Sequence, residues 1–159
     1  MSGSATVRTT LDAYLDELEV GERFASSGAR TITDEDIATF ATLSGDYNPL
    51  HTDEEFARNG PFGARIAHGA LTLAVATGLI FPQPPDGQTR LIAFYGMDRV
   101  RWIKPVFAGD SLTARGEVVA IEERGSDRGV VTADVEIVNQ DDAVVATIQA
   151  RTLNSLSPS

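Results

Sequence analysis

Hydrophobic residues in this chain recur at helical spacing up to residue 81 and with a period of two beyond residue 90. In the first part, Ile37, Phe40 and Ala41 follow Thr33 and Asp36, a pair spaced as a capping box. A helix is predicted from there to Ser44-Gly45, where glycine suits the C-terminal cap. Thr52 with Glu55 repeats the capping signature and predicts a short helix through Ala57 or Arg58, ended by Asn59-Gly60-Pro61. Gly69 to Phe81 is apolar on nearly every face, so the helix expected there is buried all round. Pro82, Pro84 and Pro85 mark the loop that leaves it.

From Arg90 onward the pattern is that of strands. Val131, Ala133, Val135 and Ile137 alternate with Thr132, Asp134 and Glu136, and Val144, Ala146, Ile148 and Ala150 alternate in the last strand. Arg124 to Asp127 and Asn139 to Asp142 read as turns, giving a meander of about four antiparallel strands with one buried face. Gly21 to Phe24 leads into a short first strand ending near Thr31. One strand, then helices, then a run of strands is an α+β order, and the simplest packing wraps the sheet around the helix at 69–81. Residues 1–12 and 155–159 are small and polar and read as flexible tails around one domain, 13–154.

Composition narrows the function classes. A length of 159 residues fits one domain with a sizeable core, and 42% hydrophobic with 23% charged residues is ordinary for a soluble globular protein. The formal net charge of −10 argues against nucleic acid or an anionic membrane as partner. Without cysteine there is neither a disulfide framework nor thiolate chemistry. The first residues lack the charged-then-apolar pattern of a signal peptide, and the run at 69–81 is too short to span a bilayer. A cytoplasmic location is therefore the expectation.

The chemistry centres on Gly45-Asp46-Tyr47-Asn48-Pro49-Leu50-His51. Asn48-Pro49 disfavours regular helix, so Asp46 and His51 flank a turn and can face one cavity. A neutral imidazole accepts or donates a proton near neutral pH, and a carboxylate orients a water. The pair suits addition of water to a double bond, or its reverse. The bland reading, in which Asp46 caps a turn and His51 packs at a helix start, is open on these two residues alone. The one other histidine, His68, precedes Gly69, whose position at a helix N-terminus offers unpaired N–H donors to a developing oxyanion.

Phe40 to Asp53, with its Gly-Asp-x-Asn-Pro-Leu-His core, resembles the signature of the MaoC-like dehydratases, also called (R)-specific enoyl-CoA hydratases. The resemblance continues through Pro61 to Gly69 and recurs in Lys104-Pro105-Val106 with Gly109-Asp110, covering about residues 14–153. It implies a hot-dog fold, in which a sheet wraps one long helix. It implies that Asp46 and His51 hold a water for syn addition to a trans-2-enoyl thioester, giving a (3R)-hydroxyacyl thioester. Gly69 matches the position whose N–H polarises the thioester carbonyl, and Asn48 holds the turn. The resemblance also implies a homodimer with the substrate tunnel at its interface, and no cofactor, coenzyme A being part of the substrate.

Other residues divide between readings. His68 reads mainly as a structural, cap-like residue, since His51 is the better base. Arg65, Arg99, Arg101 and Lys104 are candidates for the phosphates of coenzyme A against the alternative of a solvated, charge-balanced face. Tyr47 and Phe62 are tunnel candidates or simply core, and the loop at 82–88 is a candidate lid. A metal site from His51, Asp53, Glu54 and His68 follows no ligand spacing, so none is expected. Rival functions are a hot-dog thioesterase, disfavoured because 69–81 lacks Asp and Glu, and a non-catalytic acyl-binding subunit, disfavoured because both Asp46 and His51 are kept. The thioester carrier, coenzyme A or acyl carrier protein, is open.

Overall fold

The computed structural model describes residues 7–158. Two short strands, β1 (Arg23–Ala25) and β2 (Arg30–Thr31), stand where one was expected. They precede helices α1 (Asp34–Ser44), α2 (Pro49–Thr52), α3 (Glu54–Arg58) and α4 (Gly69–Ile80). Four long strands follow: β3 (Leu91–Trp102), β4 (Ser111–Arg124), β5 (Arg128–Val138) and β6 (Val144–Ser155). All pair antiparallel in one six-stranded sheet of order β1-β4-β5-β6-β3, with β2 also on β4.

The expected meander is therefore corrected in one respect. β4, β5 and β6 run as consecutive neighbours, but β3 pairs with β6 and not with β4. The reason lies in residues 103–110, which leave the sheet at Pro105, where no N–H is available for a ladder. That segment crosses to the helical side: Val106 O accepts from Ala67 N at 2.7 Å and Gly109 N donates to Ile32 O at 2.7 Å. β3 is left as a long edge strand with one side unpaired among the described residues.

The core forms between the sheet and α4. Val131, Ala133, Val135 and Ile137 of β5 are buried, as are Ala146, Ile148 and Ala150 of β6, in one cluster with Leu71, Ala76 and Ile80 of α4. α4 itself departs from the sequence expectation. Only Leu71, Thr72, Ala76 and Ile80 are buried, while Ala70, Ala74 and Gly78 form an exposed strip. The sheet of one chain covers one side of a helix that is apolar on every side.

Local signals near α1 hold as read. Thr33 caps α1 with the reciprocal bonds of a capping box to Asp36, and Gly45 closes it in the left-handed region at φ 76°. The Asp36 carboxyl is held below the ordinary aspartate value, chiefly by the Thr33 backbone N–H and then by Arg30. Asp36→Ala is expected to lower stability by about 1 kcal/mol at neutral pH. A carboxyl with a depressed folded-state pKa stabilises above its unfolded value, so the gap from wild type closes as pH falls below roughly 4. Urea unfolding at neutral and acid pH measures both.

Residues 7–12 and 155–158, expected in the tails, are described and packed in part. Leu11 is buried, its N–H and the Thr10 hydroxyl both bond to Ile80 O at the end of α4, and Asn154 holds Leu11 O and Ala13 O. Residues 7–12 are thus part of the domain. At the other end, Leu156 packs on the core and Ser157 bonds to Asp16. Residues 1–6 and Ser159 of the expected tails lie outside the described residues.

Candidate active site

The link between α1 and α3 is built from side-chain bonds to its own backbone. Asp46 Oδ1 accepts from Asn48 N at 3.1 Å, and Asn48 Oδ1 accepts from Leu50 N at 3.0 Å. Asn48 is thereby the N-cap of α2, with Pro49 in the first turn, where a missing N–H is harmless. The expectation of a turn without helix is corrected: His51 sits on a one-turn helix. The N-cap of α3 is Asp53, accepting from Phe56 N, and not Thr52, whose hydroxyl turns back to Tyr47 O and Asn48 O.

His51 Nδ1 meets the Ile66 carbonyl at 2.7 Å. A carbonyl only accepts, so Nδ1 carries the proton and the neutral ring keeps its lone pair on Nε2. His68 is 2% exposed, donates from Nε2 to the Asp46 carbonyl at 3.0 Å, and stacks on His51 with ring centroids 3.9 Å apart. The Asp46 carboxylate, exposed at the surface, and a nitrogen of each ring lie within 4.8 Å of one another. One nitrogen of each ring is committed to a carbonyl, so a cation here would have one nitrogen of each ring and the carboxylate.

Beside His51 opens a cleft of about 410 Å³ at the first turn of α4. His51, Phe62, Gly69 and Lys104 line it, with Ile66, Thr72, Trp102, Ile103 and Val106. His68 makes no side-chain cap, so the N-cap side chain leaves the first N–H groups of α4 unoccupied. Gly69 is required by a close approach: a Cβ there would stand 2.5 Å from the Trp102 indole.

Several candidates fall elsewhere. Tyr47 is exposed, bonds Thr42 through its hydroxyl and is not on the cleft wall. Arg65 is tied by ion pairs to Asp34 at 2.6 Å and Glu54 at 2.9 Å. The Glu54 bond above all holds its guanidinium above the ordinary value, and Arg65 is not among the residues lining the cleft. Arg99 lines a separate groove on the outer face of the sheet, with Arg23 and Arg115, and Arg101 bonds its neighbour's carbonyl at Val100. Of the four basic candidates only Lys104 is on the cleft. The loop at 82–88 leaves the far end of α4, about 17 Å from Gly69 at helical rise, and contributes no lining residue. Trp102 escaped the sequence reading, although it is the sole tryptophan and stands two residues before Lys104-Pro105.

A single antiparallel sheet packed around one apolar helix, with a carboxylate and two imidazoles gathered at that helix's first turn, defines a hot-dog domain with an acid–base cluster beside its cleft. A sequence profile described as a MaoC like domain matches residues 17–140, and the chain belongs to the MaoC-like dehydratase family. It is 37% identical over 115 residues to 3-hydroxyacyl-thioester dehydratase Z of Mycobacterium tuberculosis, an alignment covering 72% of this chain and 75% of that protein. It is 35% identical over 133 residues to the (R)-specific enoyl-CoA hydratase of Aeromonas caviae, covering 84% and 92% of the two chains. Among solved structures, the monoamine oxidase regulatory protein of Archaeoglobus superposes with a TM-score of 0.81 at 37% identity, over 96% of this chain and all of that one. Among the described residues no helix is long and apolar enough to cross a membrane.

Proposed function

We propose that this protein adds water reversibly to a trans-2-enoyl thioester, giving a (3R)-hydroxyacyl thioester. The reading is carried by one juxtaposition: His51 and the first turn of α4 line one cleft, and the Asp46 carboxylate, although not on the cleft wall, lies within 4.8 Å of a His51 nitrogen. The names of the relatives at 35–37% identity support it.

In the hydration direction, a water lies between Asp46 and His51. The carboxylate accepts one of its hydrogens and orients it, while Nε2 takes the other proton as the oxygen bonds C3 of the enoyl chain. Charge moves to the thioester oxygen, where the Gly69 N–H and the positive end of α4 stabilise it. The imidazolium then returns its proton to C2 on the same face, so oxygen and hydrogen add syn. Every atom comes from water and substrate, and no cofactor enters the balance. Asn48 keeps the turn in register, Phe62 supplies acyl-facing wall, and Lys104 is the cation available to the phosphates of coenzyme A.

Hydration of crotonyl-CoA, followed by loss of the enoyl absorbance and chiral analysis of the product, is the direct test. The expected result is (3R)-hydroxybutyryl-CoA with no free thiol. Release of coenzyme A thiol without hydration makes the protein a thioesterase, and tight binding of enoyl thioesters without turnover makes it an acyl-binding subunit. A panel of enoyl lengths then defines the acyl range.

The working form is a homodimer. β3 leaves twelve residues of sheet edge unpaired and carries Ile92, Tyr95 and Trp102 exposed, followed by Ile103; the Ala70-Ala74-Gly78 strip of α4 is bare. An apolar edge of that length is closed by a second copy in the simplest symmetric assembly. Sedimentation at micromolar concentration is expected to give a dimer, and a monomer contradicts it.

A further inference from the structure

His68 was expected to be a structural residue at the head of α4, and its surroundings argue for more. Three parts of the site meet on this side chain. Its Nε2–H holds the main-chain carbonyl of Asp46 at 3.0 Å, its ring stacks on that of His51 at 3.9 Å, and it is the residue bonded to Gly69. On its other side Phe40 closes the packing with a centroid distance of 5.0 Å. His51 and Asp46 reach His68 from separate elements, 17 and 22 residues away in the chain.

The second ring nitrogen supplies an independent observation. Nδ1 of His68 is buried and has no hydrogen-bond partner among the described residues. With Nε2 donating to a carbonyl, Nδ1 of the neutral ring is a bare acceptor, and in the charged ring it is an unpaired donor. Either state leaves a buried polar atom unpaired, a cost that an apolar side chain at this nitrogen's place would not carry. A position selected for packing alone has no use for this imidazole.

From these contacts we infer that His68 is a positioning residue, which registers Asp46 and His51 against the Gly69 end of α4 without itself touching substrate. This rests on the proposed hydration. It acts through the backbone of the acid and the ring plane of the base. Losing it lets the Asp46 loop and the His51 ring move relative to the oxyanion donor, a displacement to which rate is far more sensitive than substrate binding.

His68→Phe and His68→Gln separate the roles: the first keeps a stacking ring and loses the N–H, the second keeps an N–H donor and loses the ring. For His68→Phe, kcat on crotonyl-CoA is expected to fall roughly ten- to a hundredfold with KM little changed, while circular dichroism shows the fold kept. His68→Gln is expected to recover part of the loss. In the Asp46→Asn background the His68→Phe effect is expected to shrink, because the two act through one unit. The chain has two histidines, so His68→Phe leaves His51 as its sole imidazole. Its long-range ¹H–¹⁵N correlations are expected to shift and broaden as the ring loses its fixed position, the Nδ1–H form itself being held by the Ile66 carbonyl. Wild-type kcat with an unchanged His51 spectrum overturns the inference, as does loss of the fold in both variants, which makes His68 structural. A wild type inactive on every enoyl thioester removes the hydration reading instead, and the His51 spectrum alone then decides whether His68 orients that ring.

Discussion

Asp46→Asn and His51→Ala are each expected to lower crotonyl-CoA hydration by roughly 10² to 10⁴-fold while leaving the fold intact. The fold should survive because both side chains contribute little to the core. Asp46 is exposed and His51 half-buried, and His51→Ala costs the link one hydrogen bond, that from Nδ1 to the Ile66 carbonyl. Asn at position 46 keeps an acceptor for the Asn48 N–H and removes only the charge, so its effect isolates the carboxylate's part in orienting water and steadying the imidazolium. Alanine at 51 removes the base altogether. The double variant should be little worse than the more damaging single one, since a base without its oriented water and a water without its base fail at the same step. Initial rates of enoyl absorbance change, with circular dichroism as the check on folding, decide it; wild-type rates in either variant sink the mechanism.

Gly69→Ala carries the second large effect, for a different reason. The added methyl would stand 2.5 Å from two indole atoms of Trp102, well inside van der Waals contact. The atoms it meets belong to a side chain that can rotate and not to the backbone, so the protein is expected to remain folded. That rotation takes place inside the cleft, against the wall that faces the first turn of α4. Displacement of the reacting carbonyl from the helix donors by a fraction of an ångström to an ångström is expected to reduce kcat/KM by about 10²-fold. KM should rise as well, in contrast to the dyad variants, because the space itself is altered. Trp102 is the sole tryptophan, so its emission reports the same event directly. A changed spectrum with lost activity is expected, and unchanged rates place the thioester away from Gly69.

How much of this was legible in the chain depended on the range of the interaction. Thr33 and Asp36 are three residues apart and read correctly, because a capping box is settled within one turn of backbone. Alternation in β5, and in β6 from Ala146 on, likewise showed which residues face inward, since a strand's two faces are fixed by its pleat; Val144 does not follow, Val145 being buried in its place. Thr52 misled as a cap for a local reason: Asp53 competes for the same role one residue on, and its carboxylate reaches the Phe56 N–H. Strand order was beyond local reading. Nothing within β3 distinguishes β4 from β6 as its neighbour; the choice is made by the path of residues 103–110 across the helical side.

The candidate site divides in the same way. Asp46, His51 and Gly69 were identifiable because a motif keeps them at fixed separations, and the family match at 17–140 agrees with the motif. Arg65, Arg99 and Arg101 were grouped with Lys104 by charge alone. Only the folded chain separates them, pairing Arg65 with Asp34 and Glu54 and turning Arg99 to the outer face. The sequence by itself determined the α+β order, the inward faces of the strands, the apolar central helix and the residue types of an acid–base pair, all properties encoded within a few neighbouring positions. The tertiary structure decided which nitrogen of His51 is free, that the His68 ring lies against it, that Trp102 covers Gly69, and which face of α4 is left bare. Those depend on groups brought together from tens of residues apart, where a carbonyl, a ring plane or an indole edge acts by its position in space and leaves no local pattern in the chain.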